Sequence, residues 1–349
     1  MPPAGPRPLT GTEWIAIFRG IAIVLVVVGH TARGLDHAHI WHWTGGFFDR
    51  WIFAFTMPAL FFAAGLFANL LLQHGPRAFI ESRFRKVLWP YLIWTGFYFW
   101  ALFLAGEIRA QGSSFDWESA FTKATEICWL LLALFAINML YVLAAIPNWG
   151  RRAFWWMSVG LWAIEPFIDP NVLPMMHPIM KYAIYFAQGD WIAWRTADGD
   201  RPPDDCRIFA LISFGLMTIL VALGRSGEDG WWALPLALAG IQGLWELSVA
   251  LDRSGQNRVL RFLGERWIEI YVTHFVAIEA VRRGLVAVGV TWSFGHWVLG
   301  SAAGIAGPPA LWWVCRRAKF PYLFVARDSV AGHLDRKPAT ESRATHSAP

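Results

Sequence analysis

Ten apolar stretches, each about as long as a helix needs to cross hydrocarbon, constrain this chain more than any motif in it. They run near 14–33, 51–72, 87–105, 127–147 and 153–169, and again near 177–194, 207–224, 231–251, 267–288 and 294–315. A spanning helix takes about 17 to 25 mostly apolar residues, and backbone groups in hydrocarbon must find their partners within the segment. Continuous apolar runs without the alternation of a barrel strand predict an all-α, polytopic integral membrane protein of about ten transmembrane helices. The fifth and sixth stretches, interrupted around Asp169, Pro170 and Pro174, are the weakest of the set. Composition agrees: 56% of the residues are hydrophobic, 16% are charged, and 23 Trp and 26 Phe are present, which is too apolar for a single water-soluble core.

The formal net charge of +5 does not mark a nucleic-acid protein, because the Lys and Arg sit in short runs between apolar stretches. They read as topology charges. With the N-terminus placed in the cytoplasm, the inner loops hold thirteen basic residues, among them Arg77, Arg83, Arg85, Lys86, Arg151, Arg152, Arg253 and Arg266. The outer loops and helix ends hold seven: Arg33, Arg50, Arg109, Lys123, Arg225, Arg282 and Arg283. The excess places both termini in the cytoplasm of a multi-pass inner-membrane protein surrounded by lipid. Residues 1–13 are then a short cytoplasmic tail, 14–316 the membrane domain and 317–349 a cytoplasmic tail, expected to be disordered past about Arg327. The first stretch, interrupted by Arg19 and His30 and lacking a small-x-small exit, is expected to stay as a helix and not to be cleaved. Cys128, Cys206 and Cys315 are odd in number and far apart, so neither a disulfide framework nor a zinc site is inferred.

An ionisable side chain at mid-bilayer costs on the order of 2.5–3.5 kcal/mol on insertion scales and is a functional candidate by default. The first stretch carries two. Eleven residues separate Arg19 from His30, which on a helix means about 20° of rotation and about 16 Å of rise, one face at two depths. Ala22 and Val26 lie between them on that face. An Arg that snorkels and a His that caps a hydrogen-bond network is the competing structural reading. Asn69, Asn138, Glu165, Lys181, Gln188, Asp190, Gln242, Glu246, Glu269, His274 and Glu279 also stand at spanning depth. Most are expected to bond between helices, while Glu279 and Arg283, four apart, are expected to pair locally. So many polar groups imply a water-accessible cavity.

The stretch Phe18-Arg-Gly-Ile-Ala-Ile-Val-Leu-Val-Val-Val-Gly-His30 resembles the opening signature of the acyltransferase 3 family of membrane O-acyltransferases, an arginine and a histidine separated by ten residues on the first membrane helix. Further similar segments follow in the family's order: Met57 to Gly65, Arg83 to Tyr91, Trp129 to Leu134, Tyr182 to Gly189, Phe262 to Gly264 and Ile270 to His274. The resemblance covers roughly residues 13–316. Two departures stand out. Ala64 occupies a position where members often carry Ser, and the basic motif reads Arg83, Arg85, Lys86 where members often have two arginines three apart.

The resemblance implies transfer of an acyl group, usually acetyl, from cytoplasmic acyl-CoA to a hydroxyl of a cell-envelope or exported glycan. His30 is the expected general base, since a neutral imidazole with a reference pKa near 6.5 can take the proton of a poor sugar nucleophile. Arg19 is expected to hold a phosphate or the pantetheine arm of the donor, or to orient a carboxylate. Arg83, Arg85 and Lys86 would engage the phosphates of coenzyme A, although topology alone also accounts for them. His274 either completes the site or is a hydrogen-bonded structural histidine. Asp36, His37, His39, Trp41, His42 and Trp43 form a polar and aromatic cluster after the first stretch, read chiefly as an interface belt with acceptor binding as the minor alternative. No metal and no permanently bound cofactor is expected. The competing class is a transporter or exporter of a small anion or lipid-linked sugar, for which buried charges around a cavity also serve; no inverted repeat is visible in support of it.

Overall fold

The computed structural model describes residues 13–42, 45–105, 117–145, 150–169, 175–197, 206–227, 230–255 and 257–326. The N-terminal tail before Glu13, Trp43, Arg109, Pro170, Pro174, the 198–205 loop with Arg201, and the tail beyond Ala326 lie outside the described residues. Among those described, every regular element is a helix: α1 Glu13–His37, α2 Phe47–Gly65, α3 Ala68–Leu72, α4 Pro76–Arg83, α5 Trp89–Ala105, α6 Trp117–Ala145, α7 Gly150–Ile164, α8 Met176–Ala197, α9 Cys206–Ala222, α10 Ala233–Ser254, α11 Arg258–Glu265, α12 Trp267–Ala287 and α13 Ser293–Arg317.

The bundle is apolar on its outside as well as its inside. On α9, Leu211 is 75% exposed and Ile208 65%, a face that water would penalise and lipid accepts. Among the described residues, six spans are long and apolar enough to cross a membrane: Glu13–His37, Phe47–Leu72, Pro76–Leu104, Thr122–Ala145, Gly230–Ser254 and Ser293–Arg317. The other four expected segments also fold as helices but differ in kind. Helices α8 and α12 have the length, 22 and 21 residues, yet α8 carries Lys181 and Asp190 and α12 carries Glu269, Glu279, Arg282 and Arg283. Helices α7 and α9 have only 15 and 17 residues, about 22 and 26 Å at 1.5 Å per residue, short of the roughly 30 Å hydrocarbon core. The fifth segment therefore ends earlier than its hydropathy suggests: α7 stops at Ile164 and gives way to a 3-10 turn at Glu165–Phe167, where Pro166 removes a helical donor.

Helix α1 runs through the middle, packed on α2, α10, α11, α12 and α13. Two glycine pairs set the closest approaches. A Cβ on Gly65 would overlap the Phe186 carbonyl oxygen and one on Gly189 that of Phe62, so α2 and α8 meet backbone to backbone. Gly20 and Gly264 do the same for α1 and α11 against Leu260 and Ala16. Small residues at such crossings replace the hydrophobic drive that lipid removes. They also explain why glycine ends three of the segments quoted above.

Polar groups at depth partner differently from the expectation. Asp190 does cross between helices, accepting from the Tyr141 hydroxyl at 2.9 Å and from Arg151 Nε at 2.6 Å. Asn138, in contrast, donates to the Leu134 carbonyl of its own helix, and Gln242 to Glu246 four residues on. Glu279 pairs with Arg283 as expected and with Arg282 as well. A side chain bonded one turn away on its own helix needs no neighbour, which is why depth alone does not predict a crossing bond. Beyond α13, the Tyr322 and Leu323 carbonyls accept from the indoles of Trp89 and Trp94 at 2.8 and 2.9 Å, strapping this segment to α5.

Candidate active site

Arg19 and His30 lead to different cavities. Arg19 lines a space of about 460 Å³ together with Ala64, Phe67, Arg83, Lys86, Leu134, Glu265, Glu269 and Phe324. Its guanidinium carbon lies 5.5 Å from the Phe67 ring centre, and its Nε is buried without a hydrogen-bond partner. Arg83 reaches the cavity from the last residue of α4, and Lys86 from the π turn at Phe84–Leu88 that joins α4 to α5. A π turn adds a residue to the helical repeat and re-aims the side chains around it. Arg85, on that same turn, does not line the cavity; its backbone carbonyl accepts from Ala326 N–H at 3.5 Å. The cavity thus gathers three cations and two carboxylates from α1, α4, the π turn, α11 and α12.

At the other end, His30 lines two spaces. One, about 520 Å³, is bounded by Arg33, His37, Asp49, Arg50, Phe53, Met57, Trp129, Lys181 and Tyr182. The second, about 400 Å³, is mostly apolar, with Phe97, Tyr98, Leu102, Phe275 and Ile278 and, at its edge, Glu279, Arg282 and Arg283. His30 belongs to both sets, so its ring stands between a polar vestibule and an apolar one. Around it, the ring centres of Phe275, Phe53 and His274 lie at 4.8, 5.2 and 5.4 Å.

His274 is fully buried on α12. Its Nδ1 faces two carbonyls, Tyr271 at 2.7 Å and Ile270 at 3.1 Å; a carbonyl only accepts, so the proton sits on Nδ1 and Nε2 keeps its lone pair. That Nε2 is buried without a hydrogen-bond partner. The helix is held in place nearby, since the Tyr98 hydroxyl donates to the Val272 carbonyl at 2.8 Å and the Tyr271 hydroxyl to that of Ile127 at 3.1 Å.

Neither cavity end shares a lining residue with the other. On α2, Met57 borders the His30 vestibule and Ala64 the Arg19 cavity. Phe61, between them in the helix, stacks on Tyr182 with ring centres 4.8 Å apart and on Trp129 at 6.2 Å. Trp129 and Tyr182, backed by Phe61, thus form an aromatic floor of the vestibule.

The match to a family model now has a geometry to explain it. A model described as an acyltransferase domain matches residues 12–313. The chain belongs to the acyltransferase 3 family. It is therefore a membrane acyltransferase, an enzyme that moves an acyl group from a donor to an acceptor. No curated protein and no solved structure matches it. Within the acyltransferase, the sequence-chosen Arg19, Arg83 and Lys86 come together in one cavity and His30 and His274 in another place, while Arg85 stands apart from both. Of the loop cluster, His37 reaches the vestibule; His42 Nδ1 lies 3.3 Å from Asp36, and Trp41 packs edge-on against Trp297. Among the described residues, no group of three or more His, Cys, Asp or Glu is placed to hold a metal.

Sequence reasoning passed over Asp49 and took Trp129 and Tyr182 only as the first residues of two similar segments. Asp49 is 3% exposed and takes Arg33 in a two-pronged pair, Nε at 2.6 Å and Nη2 at 3.2 Å. A carboxylate at the start of a spanning helix was a signal available in the sequence. That Trp129 and Tyr182 meet carried none, because two segments far apart in the chain do not encode which helices pack together.

Proposed function

We propose that the acyltransferase moves an acyl group, usually acetyl, from cytoplasmic acyl-CoA to a hydroxyl of a cell-envelope or exported glycan across an inner membrane, with both termini in the cytoplasm. The observation that carries this reading is the separation along α1: a cationic cavity around Arg19 and a histidine vestibule about 16 Å further along the same helix. Arg83 and Lys86 take the coenzyme phosphates at the cytoplasmic mouth, where two or three charge-assisted hydrogen bonds hold a phosphate well. Arg85 contributes positive potential and not a direct contact. Arg19, deeper, receives the polar pantetheine arm.

His30 takes the proton of the acceptor hydroxyl as its oxygen attacks the thioester carbon. The C–O bond forms, the carbonyl electrons return, and the C–S bond breaks. The coenzyme thiolate leaves with the proton that the imidazole received, which restores the neutral base. His274 serves this step from behind: its protonated Nδ1 is fixed by α12 carbonyls, so its lone pair is available to a ring N–H of His30 and would select the tautomer that presents a basic nitrogen to the vestibule. Incubating the purified protein with acetyl-CoA and a glycan acceptor, and following both thiol release and acetyl-ester formation, tests the reading. Coupled appearance of the two products is expected. A transporter would leave the thioester intact, and that result would overturn it.

A further inference from the structure

The vestibule beyond His30 has more positive charge than membrane topology can account for. Arg33, Arg50 and Lys181 line it, and Asp49 is the single carboxylate among the described lining residues. That carboxylate is already engaged, holding both prongs of Arg33 and the Gly45 N–H at 3.0 Å. Arg50 Nε is buried without a hydrogen-bond partner. At the Arg19 end, basic residues follow the positive-inside rule; at the His30 end they run against it. A cation such as Arg50, kept at a membrane end where topology does not ask for it and partly withdrawn from water, is costly unless something compensates it.

The walls supply the rest of a ligand site. Phe53, Trp129 and Tyr182 offer flat apolar faces of the kind on which a sugar ring packs, and Arg33 lies 3.7 Å above the Phe53 ring centre, so Phe53 is held in place. The volume of about 520 Å³ falls within the range of small-ligand sites, roughly 300–1,000 Å³. His30 stands at one wall and the aromatic floor at another, so a hydroxyl presented to His30 would leave the far side of the same sugar facing Arg50 and Lys181.

We propose that the vestibule selects an acceptor sugar carrying an anionic group, a carboxylate or a phosphate, bound by Arg50 and Lys181 while a neighbouring hydroxyl meets His30. This rests on the acyl-transfer reading for the role of the bound sugar, but the charge selectivity is a property of the vestibule and can be measured without turnover. Arg33, paired to Asp49, shapes the wall, and Arg50 and Lys181 read the charge.

The test compares three probes on the full-length protein in detergent: methyl glucuronoside, its neutral counterpart methyl glucoside, and glucose 6-phosphate. Binding is measured by titration calorimetry, and acetyl transfer from acetyl-CoA is measured in parallel. One or both anionic probes are expected to bind at least about tenfold tighter than the glucoside, as one charge-assisted contact supplies, and the preference should shrink as salt is raised. Arg50→Gln and Lys181→Gln should each reduce the preference about fivefold or more, and Lys181→Arg should keep it. Which anionic probe wins distinguishes carboxylate from phosphate. Equal affinities for all three probes, no binding of any, or a preference that both Gln variants retain would overturn the proposal. Charge-selective binding without any acetyl transfer would instead leave the anion site standing and remove the acyl-transfer reading.

Discussion

Arg19 and His30 sit on one face of one helix, yet the two ends of that helix are built to different rules. Around Arg19, three cations share their cavity with Glu265 and Glu269 and draw on a π turn and a C-terminal strap. In the vestibule beside His30, rings share the wall with Arg50 and Lys181, and Asp49, the single carboxylate among the described lining residues, is committed to Arg33. The first suits a large polyanion that must enter and leave, because mixed charges hold phosphates without trapping them. The second suits a single proton transfer, because close-packed rings of Phe53, His274 and Phe275 fix where the imidazole can be. Equivalent burial on the same helix therefore does not make equivalent roles. The contents of each cavity decide.

The contrast can be broken at either end, and the largest effect belongs to the imidazole. His30→Ala is expected to lower the acyl-transfer rate by about 10² to 10⁴, the usual cost of losing a general base. In the parent enzyme the rate should fall as the medium is made acidic, since a protonated ring accepts no proton, and this acid limb should vanish from the residual activity of the variant. His274→Gln keeps a buried polar side chain and removes the fixed lone pair; a loss of about tenfold or more in kcat with little change in the acyl-CoA KM would mark it as a positioning residue. An unchanged kcat would leave it a packing histidine.

At the Arg19 end the expected signature is binding, not rate. Neutralising Arg83 and Lys86 together should raise the apparent KM for acyl-CoA about tenfold or more, as the loss of charge-assisted contacts implies, while Arg85→Gln should change it less. Equal effects from all three would show a diffuse field instead of a built site. The smallest expected effect concerns the frame that both ends share. Gly189→Leu must push α8 from α2 and should destabilise by about 1–3 kcal/mol, the range for overpacking, whereas Gly96→Leu, around which nothing lies within 4 Å, should leave the melting temperature in detergent unchanged.

The sequence made one end of α1 more legible than the other. An arginine and a histidine at a spacing of eleven share a helical face whatever surrounds them, so their alignment could be read directly. The gathering of Arg83 and Lys86 with Arg19 followed from the order of segments. That Arg85 does not line the cavity did not, because a π turn is not written in local propensity. Ala64 illustrates the same limit: it looked like a weakened motif position, and the structure shows that the missing hydroxyl would have faced the Arg19 cavity. The pairing of Asp49 with Arg33 and the stacking of Phe61, Trp129 and Tyr182 were not legible, because each depends on which helices meet, and apolar runs in lipid do not encode their neighbours. Ten spans were read from hydropathy; among the described residues six are long and apolar enough to cross a membrane, and α7 and α9 show that an apolar run does not fix helix length.

The account stands or falls on the division of labour along α1, and equilibrium binding of acetyl-CoA to two single variants tests it most directly. His30→Ala should bind the donor with the affinity of the parent while failing to transfer, and Arg19→Gln should bind it about tenfold or more weakly, the loss expected of one charged contact. If His30→Ala lost donor binding and Arg19→Gln kept it, the two ends would have been assigned the wrong way round.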